Sequence, residues 1–328
     1  MRAAAAANDS AHAATVAAPA DLTADDHSAV FLRWLLASAP AAPPAKPAAL
    51  SEATPVALLD AALAAEATLA NLLPRAAQIV PQLMKSLRDD RYSATEIAQR
   101  ISRDVVLKTE VLRLANSVHY GAGREPVVEL AQAVATLGTD GLQRAIAKVV
   151  LRPIFESRSA PLSLVAAPRI WQVSEDKARL CVALAPAHGV APLDAYLAGL
   201  LHDIGWTAAM RIFDVARPAP SAERLTRGDL AAALFIRRDR LFGRLVRPWQ
   251  LSEGLVALAT ELGSEAERAN ETAASQMLAI ADRLAIHHSL QRAKFLPAEP
   301  PALLQGLPES IAETYRALST EPASMPPG

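Results

Sequence analysis

The sequence predicts an all-α fold, built from two packed helical subdomains that follow an N-terminal arm. Only 4% of the residues are aromatic, and β-branched residues seldom alternate with polar ones, whereas alanine and leucine dominate the composition. From Pro55 onward, apolar residues recur at helical spacing. A chain of 328 residues is also long enough to bury a large core.

Residues 1–54 are rich in alanine and proline, and such a composition buries too little varied apolar surface to offset the entropy lost on ordering. We therefore expect a flexible arm. Within it, residues 24–37 place apolar side chains on one helical face, which predicts a short helix that docks on the body or on a partner.

Several features predict a cytoplasmic protein. The start of the chain lacks the hydrophobic region of a signal peptide, and no long apolar run could span a membrane. The single cysteine, Cys181, cannot form an internal disulfide, and its apolar neighbours predict a buried thiol rather than a nucleophile.

The helical body is predicted to span residues 55–290, with residues 291–328 as a C-terminal tail. In its first half, 55–156, Ser93 and Glu96 form a capping box, Asp104 and Thr139 are candidate N-caps, and Gly138 is expected to end a helix. A break rich in serine and proline, 157–168, separates this half from the second, 168–290. In the second half we expect helices at 171–187, 193–202, 230–236, 241–249, 253–262 and 270 to about 290.

The most informative motif places an imidazole and a carboxylate side by side at the end of an apolar helix: Leu200-Leu201-His202-Asp203-Ile204-Gly205. Neighbouring helical side chains diverge by about 100°, so other helices would have to supply the remaining ligands of any metal ion. By spacing alone, a hydrogen-bonded structural pair is the favoured interpretation of His202 and Asp203.

In its setting, this motif resembles the signature of the HD metal-dependent phosphohydrolase superfamily. The first half is similar to the N-terminal helices of HDOD (HD-related output) domains, through Leu112-Arg113-Leu114-Ala115-Asn116-Ser117, Tyr120-Gly121 and the pattern Ala133-Val134-x-x-Leu137-Gly138. Trp171, Ser174, Trp249 and Ala281-Asp282-Arg283-Leu284 extend the resemblance over about residues 69–290. It implies an all-α fold of HD-like, HDOD architecture.

In the HD superfamily, histidine and aspartate ligate a divalent ion that activates water for attack on phosphorus. The resemblance assigns His202, Asp203 and Asp282 to three ligand positions. The position of the first histidine falls on Val173, whose isopropyl group cannot coordinate a metal. Asp239 and Glu261 stand where many HDOD sequences carry further histidines, so weak binding of Mg²⁺ or Mn²⁺ stays open although no cofactor is expected.

Other polar residues have structural interpretations. Asn116, Ser117 and Tyr120 are expected to bond backbone groups where the subdomains meet. His287 and His288 are expected to interact with the C-terminal dipole of their helix rather than with a metal, and His119 and His188 precede glycines at helix ends. The chain has no glycine-rich phosphate loop, no Gly-x-Ser-x-Gly elbow and no Cys-x-x-Cys pair.

The resemblance to HDOD domains implies an output or scaffold module of bacterial regulation that acts through contacts with signalling proteins. The incomplete ligand set predicts that this module is non-catalytic, with no hydrolysis. One alternative is a metal-dependent phosphohydrolase that uses His202, Asp203 and Asp282. Another is a weak nucleic-acid or nucleotide-responsive binder that uses the arginine-rich stretch 211–247. The balance of 33 basic and 34 acidic residues argues against nucleic acid or a membrane surface as the main partner.

Overall fold

The structure is a computed structural model. It describes residues 24–37, 54–65, 69, 71–73, 76, 101–103, 105–116, 125–157, 160–216, 219–264, 271–297 and 302–320. These ranges contain helices and no strand, which confirms the all-α prediction. The capping box at Ser93 and the N-cap at Asp104 lie outside them. Among these residues, no helix is both long and apolar enough to cross a membrane.

The first four helices are α1 (Ala24–Leu35), α2 (Pro55–Ala64), α3 (Val105–Ala115) and α4 (Leu130–Phe155). α4 consists of two helical segments separated at Gly138, whose φ of 63° and ψ of −172° interrupt the helix. Glycine adopts a positive φ without steric cost, so the predicted helix end at this residue is confirmed.

The remaining helices are α5 (Pro161–His188), α6 (Pro192–His202), α7 (Ile204–Val215), α8 (Ala222–Leu225), α9 (Gly228–Val246), α10 (Glu253–Gly263), α11 (Ala273–Arg292) and α12 (Glu309–Thr320). Short 3₁₀ helices lie at Arg247–Trp249 and Ala302–Leu304. The sequence analysis assigned no helix to α7 or α12. In α12, Ile311, Tyr315 and Leu318 are buried at helical spacing, and the helix packs on α5 and α11.

The break predicted at 157–168 is wrong for most of its length, because α5 already begins at Pro161. Proline is favoured at the first helical position, where its missing N–H would have no helical partner. The backbone N–H groups of Leu162 and Ser163 donate to the Asp214 carboxylate of α7, both at 2.9 Å. A capping partner so distant in sequence is invisible to local composition.

The interruption predicted between residues 236 and 241 is also wrong, since α9 runs through it. Two consecutive arginines inside this range have internal partners instead of facing solvent. Arg237 donates two hydrogen bonds of 3.0 Å to the Asp60 carboxylate of α2, and Arg238 is buried. Ion pairs with Asp60 at the surface and with Asp282 in the interior therefore let the charged stretch remain helical.

The helix α1 docks on the body. Phe31, Leu32 and Leu35 are buried, and α1 contacts α9, α11 and α5. Arg169 of α5 donates to the backbone carbonyls of Leu35 and Ala37, at 2.9 and 2.7 Å. The arginine side chain thus caps the C-terminal end of α1, where backbone carbonyls lack helical partners.

Buried apolar residues form two clusters. The larger one includes α1, α2 and the helices of the second half, and the smaller one lies between α3 and α4. α5 is central because it packs against α6, α7, α11 and α12 and also touches α4. Cys181 lies in this larger cluster, as predicted, and burial raises the pKa of its thiol.

Candidate functional site

The glycine at 199 lets α6 approach α5 closely. A Cβ atom at this position would lie 2.6 Å from the Cα of Ala178, which is closer than real side chains approach. The backbone of α6 therefore packs directly beside Lys177 and Ala178. Three residues later α6 ends at His202, and Asp203 joins it to α7.

Gly205 has the same effect on the other side of the motif. A Cβ atom there would lie 2.9 Å from the carbonyl carbon and from Cγ of Arg238, and closer still to the carbonyl oxygen. This contact holds α7 against α9. The two glycines thus place His202 and Asp203 between Lys177 on one side and Arg238 on the other.

Three of the residues assigned to metal-ligand positions come together in this place. One ligand atom from each of His202, Asp203 and Asp282 lies within 4.8 Å of the other two. All three side chains are buried. Asp282 comes from α11, so the cluster joins the α6–α7 junction to a helix that follows about eighty residues later.

A lysine ammonium group lies among these ligand atoms. Lys177 Nζ is 2.7 Å from Asp203 Oδ2, 2.6 Å from Asp282 Oδ1 and 3.2 Å from His202 Nδ1. The side chain of Lys177 is 0% exposed. The ammonium donates hydrogen bonds toward the same oxygen and nitrogen atoms that would have to face a metal ion.

A second buried cation, Arg238, neutralises the other side of the carboxylates. Its two terminal nitrogens donate to the two oxygens of Asp282, at 3.0 and 2.9 Å, and its Nε donates to Asp239 at 2.9 Å. The guanidinium also lies 4.8 Å from the centroid of the Phe235 ring. Burial alone would lower the pKa of Arg238, but Asp282, Asp239 and Asp203 raise it instead.

His202 is a neutral link between Lys177 and Asp239. Burial, and then the positive charges of Arg238 and Lys177, lower the pKa of the imidazole. Nδ1 accepts from Lys177, so the hydrogen-bond network assigns the proton to Nε2, which donates to Asp239 Oδ1 at 3.0 Å. The ring of Phe242 packs edge-on against the imidazole.

The charges of this group are nearly balanced. Three carboxylates, those of Asp203, Asp239 and Asp282, face the cations of Lys177 and Arg238. Burial would raise the pKa of Asp282, but both cations lower it below its ordinary value. Asp203 Oδ1 accepts no hydrogen bond from the described residues and lies 3.6 Å from an Arg238 nitrogen.

These residues do not fit a resident divalent ion. Such an ion would have to bind the atoms that already accept from the Lys177 ammonium, and two cations only a few ångströms apart repel each other strongly in a buried site. Val173, at the position of the absent first histidine, is fully buried one turn before Lys177. In this conformation an ion could reach these ligand atoms only if the Lys177 ammonium moved away from them.

Asp239 belongs to the cluster, whereas Glu261 does not. Asp239 accepts hydrogen bonds from His202 and Arg238. Glu261 lies on α10, where its carboxylate accepts from the Thr272 hydroxyl at 2.7 Å and from the Thr272 backbone N–H at 3.4 Å. Its role in the described structure is to hold the N-terminus of α11.

The cations of the cluster were missed by the sequence analysis. Lys177 carries a weak local signal, because it lies one turn after Val173 and therefore on the same face of the helix. Arg238 carries none, since it is one of several arginines in the stretch 211–247 and nothing in the sequence distinguishes it from the others. Its burial depends on the carboxylates that α9 meets in the folded chain.

The other polar residues lie apart from this cluster. Asn116 donates to the carbonyls of Leu112 and Val127, and its Oδ1 accepts from the Val127 N–H at 2.7 Å. It bonds backbone groups as expected, but between α3 and the start of α4 rather than between the two halves. Ser117 and Tyr120 lie outside the described residues.

The dipole interpretation of the paired histidines does not describe their contacts. His288 is buried and its Nδ1 lies 2.9 Å from Asp176 Oδ2, while His287 Nδ1 lies 2.9 Å from the Tyr315 hydroxyl. His188 does lie at a helix end, where its Nδ1 contacts the Leu184 carbonyl. His119 is not among the described residues.

Much of the arginine-rich stretch is engaged inside the protein. Arg211 donates to the carbonyls of Leu72, Ile154 and Glu156, and Arg237 and Arg240 lie against Asp60. Arg244 and Arg247 are exposed. The basic surface is thus smaller than the composition indicates.

A protein of known structure shares this fold, and a second one is similar in sequence. A crystal structure from Shewanella amazonensis SB2B, named as a candidate metal-dependent phosphohydrolase, superposes with a TM-score of 0.58 at 16% identity and covers 80% of this chain and 97% of its own. An HDOD domain protein of unknown function from Geobacter sulfurreducens is 26% identical, with a TM-score of 0.47, over 74% of this chain and 82% of its own.

Among curated proteins, an uncharacterized protein of Treponema pallidum (strain Nichols) is 25% identical over 135 residues, which is 40% of this chain. The match spans only 25% of the length of that relative. The family model of the HDOD domain matches residues 73–263, more than half of the chain. The chain therefore belongs to the HDOD domain family.

Proposed function

We propose that this protein is a non-catalytic signalling module, in which a hydrolase-like helical body acts as an output or scaffold domain through contacts with other proteins. The observation that carries the proposal is the position of Lys177, whose ammonium lies within 3.2 Å of all three candidate ligand atoms. Hydrolysis by an HD-type centre needs a fixed ion with an open coordination position for water. In our proposal, the Lys177 ammonium occupies the position that such an ion would need.

The charge network supports a structural role for these residues. The carboxylates that would hold an ion are instead bound by Lys177 and Arg238, and His202 is neutral and hydrogen-bonded on both ring nitrogens. Charges buried in this way hold helices α5, α6, α9 and α11 in one arrangement. A rigid body with a fixed surface suits a domain that acts by binding other proteins.

The first test is elemental analysis of the protein purified without chelator, followed by a phosphoesterase screen with added Mn²⁺ or Mg²⁺. We expect no stoichiometric metal and no turnover of phosphomonoesters, phosphodiesters or cyclic dinucleotides. Bound metal together with turnover that disappears in His202→Ala and Asp203→Ala would refute the proposal and establish the phosphohydrolase alternative.

The second test addresses the partner. Cross-linking in the native host, with the full chain as bait, is expected to recover signalling proteins reproducibly, and the purified pair should then re-form a complex. A matched bait in which exposed residues of the interface are changed should lose that partner while it keeps its helical content. Failure of every recovered protein to bind in purified form would contradict the scaffold role.

Nucleic acid is the weaker alternative, because Arg211, Arg237, Arg238 and Arg240 have internal partners. Any binding through this stretch should depend on phosphate contacts alone, and so be independent of sequence and lost as salt rises. Specific, salt-resistant recognition of one sequence would favour that alternative.

A further inference from the structure

The Lys177 ammonium has the surroundings that a divalent cation would need. It contacts one oxygen of each of two aspartates and the imidazole nitrogen of His202, at 2.6 to 3.2 Å. We propose that Lys177 is an internal substitute for the divalent cation, and that removing its ammonium alone converts this cluster into a binding site for a hard cation such as Mn²⁺. The inference rests on the proposed absence of metal in the native protein.

The charges of the cluster favour this conversion. Asp203, Asp239 and Asp282 carry three negative charges, and Lys177 and Arg238 supply two positive ones. Without the ammonium, the buried group keeps two uncompensated negative charges, which is the charge that one divalent ion neutralises. Arg238 can stay in place. It donates to both oxygens of Asp282, at 3.0 Å for Oδ1 and 2.9 Å for Oδ2, and Oδ1 also accepts from Lys177 at 2.6 Å, so the loss of the ammonium frees an acceptor position on Oδ1.

His202 is already oriented for a ligand role. Its Nε2–H donates to Asp239 at 3.0 Å, which turns the Nδ1 lone pair toward the ammonium. A carboxylate bonded to the second ring nitrogen is the usual support of a metal-binding histidine, since it fixes the tautomer and the orientation of the ring. The supporting carboxylate is therefore present although the ion is replaced.

The dimensions of the group are also suitable. The three ligand atoms lie within 4.8 Å of one another. Small divalent ions bind oxygen at about 2.1 Å, so opposite ligands stand about 4.2 Å apart, and only a small inward movement is required. Water molecules can complete the coordination shell, as they usually do for Mg²⁺ and Mn²⁺.

The experiment compares the full-length wild type with Lys177→Met and with Lys177→Met/Asp203→Asn. Methionine keeps the length of the apolar stem and removes the charge. The melting temperature is measured in EDTA and in about 1 mM MnCl₂, and bound Mn²⁺ is counted by equilibrium dialysis. Asparagine at 203 keeps the shape of the ligand and removes its charge, so the double variant is the matched control.

We expect Lys177→Met to melt below the wild type in EDTA, and Mn²⁺ to raise its melting temperature by about 5 °C or more with one ion bound per chain. The wild type should not respond. The double variant should be more stable than Lys177→Met in EDTA, because one uncompensated carboxylate has been removed, and it should not respond to Mn²⁺.

The inference is overturned if Lys177→Met binds no Mn²⁺, or if the double variant responds to Mn²⁺ equally. If Lys177→Met does not fold in chelator, refolding with Mn²⁺ decides: recovery with the ion alone supports the inference, and equal failure in both conditions refutes it. Stoichiometric Mn²⁺ in the wild type would contradict the proposed function instead. If the wild type is metal-free and Lys177→Met also binds no Mn²⁺, only this inference is contradicted.

Discussion

The individual residues of the candidate site form a network of buried ion pairs. Burying a charge is costly unless it is paired and hydrogen-bonded, and breaking such a pair leaves its partner without compensation. Lys177 and Arg238 meet this requirement for Asp203, Asp239 and Asp282. Stability should therefore depend strongly on each cation.

Arg238→Met should lower the free energy of unfolding by about 3–5 kcal/mol, because the buried Asp282 loses the guanidinium that binds both of its oxygens. Arg244→Met is the matched control, since Arg244 lies on the same helix and is exposed. Its effect should stay within about 0.5 kcal/mol. Urea denaturation measures both changes, and similar losses in the two variants would contradict the network.

The pH dependence of stability should report on His287. Burial, followed by the nearby His27, lowers the pKa of His287 from 6.5 to about 4, so the folded protein keeps this imidazole neutral where the unfolded chain protonates it. Between these values the unfolded state binds more protons, and stability therefore falls as the pH falls. The neutral His202 acts in the same direction.

The variant His287→Gln should lose part of this dependence, because glutamine does not titrate. Urea midpoints at about pH 7.5 and about pH 5 should differ less in the variant than in the wild type. Equal differences in both proteins would show that His287 does not contribute.

The sequence predicted one part of this site and missed another. His202, Asp203 and Asp282 were found because the motif and its resemblance name them. Lys177 and Arg238 were missed because their function depends on which carboxylates the folded helices bring to them, and single-sequence patterns contain no distances. Glu261 lies away from the cluster. A shift of one or two residues relative to the family pattern moves a side chain to another face of the helix, so the resemblance did not fix the direction of this side chain.

Among the helices, the central helix α5 carries four consecutive buried polar residues that contact three groups of neighbours. Ser174 and Lys177, three residues apart on one face, both contact Asp203. Glu175 pairs with Lys148 of α4, and Asp176 lies against His288 of α11. Successive side chains diverge by about 100°, so one helix turn bonds in three different directions.

The glycine contacts between helices should be sensitive to one added methyl group. Gly205→Ala would place a Cβ against the backbone of Arg238, and we expect a loss of about 1–3 kcal/mol in unfolding free energy. Gly228→Ala is the control, because nothing lies within 4 Å of its Cβ position at the start of α9. That change should be neutral or stabilising by up to about 1 kcal/mol.

Denaturant unfolding of the two alanine variants distinguishes the steric contact of the added Cβ atom from the difference in helix propensity between glycine and alanine. A loss in Gly228→Ala as large as that in Gly205→Ala would contradict close packing as the reason for glycine at 205.

Helix periodicity predicted α6, α10 and α11 within a few residues, but it missed α7 and α8. The errors in α5 and α9 have a common physical cause. Prolines at 161 and 168 and the charged residues 237–240 were read as breaks, but Asp214 caps the start of α5 and Asp60 pairs with Arg237. Tertiary partners can stabilise a helix through segments whose local composition disfavours it.

At the scale of the whole molecule, a second buried ion group joins the smaller core cluster to the larger one. Lys148 of α4 lies 3.0 Å from Glu110 of α3 and also pairs with Glu175 of α5. Burial would raise the pKa of Glu110, but its bonds with Arg113 and Lys148 lower it. This group should couple the α3–α4 pair to the rest of the protein.

Lys148→Met should therefore destabilise the protein by about 3–5 kcal/mol and loosen α3 and α4 selectively. Hydrogen exchange should become faster in these two helices, while α11 keeps its protection. Lys108→Met, which changes an exposed lysine on α3, is the control and should leave exchange unchanged. A uniform increase across all helices would argue against a local coupling role.

In the native protein, we expect the ammonium of Lys177 to occupy the position that the family resemblance assigns to a metal ion. A crystal of the wild-type protein soaked in Mn²⁺ tests this expectation, because Mn²⁺ gives an anomalous signal that lysine does not. We predict no anomalous peak among His202, Asp203 and Asp282, with density for Lys177 Nζ between them. An anomalous peak at that position, with Lys177 turned away, would contradict it.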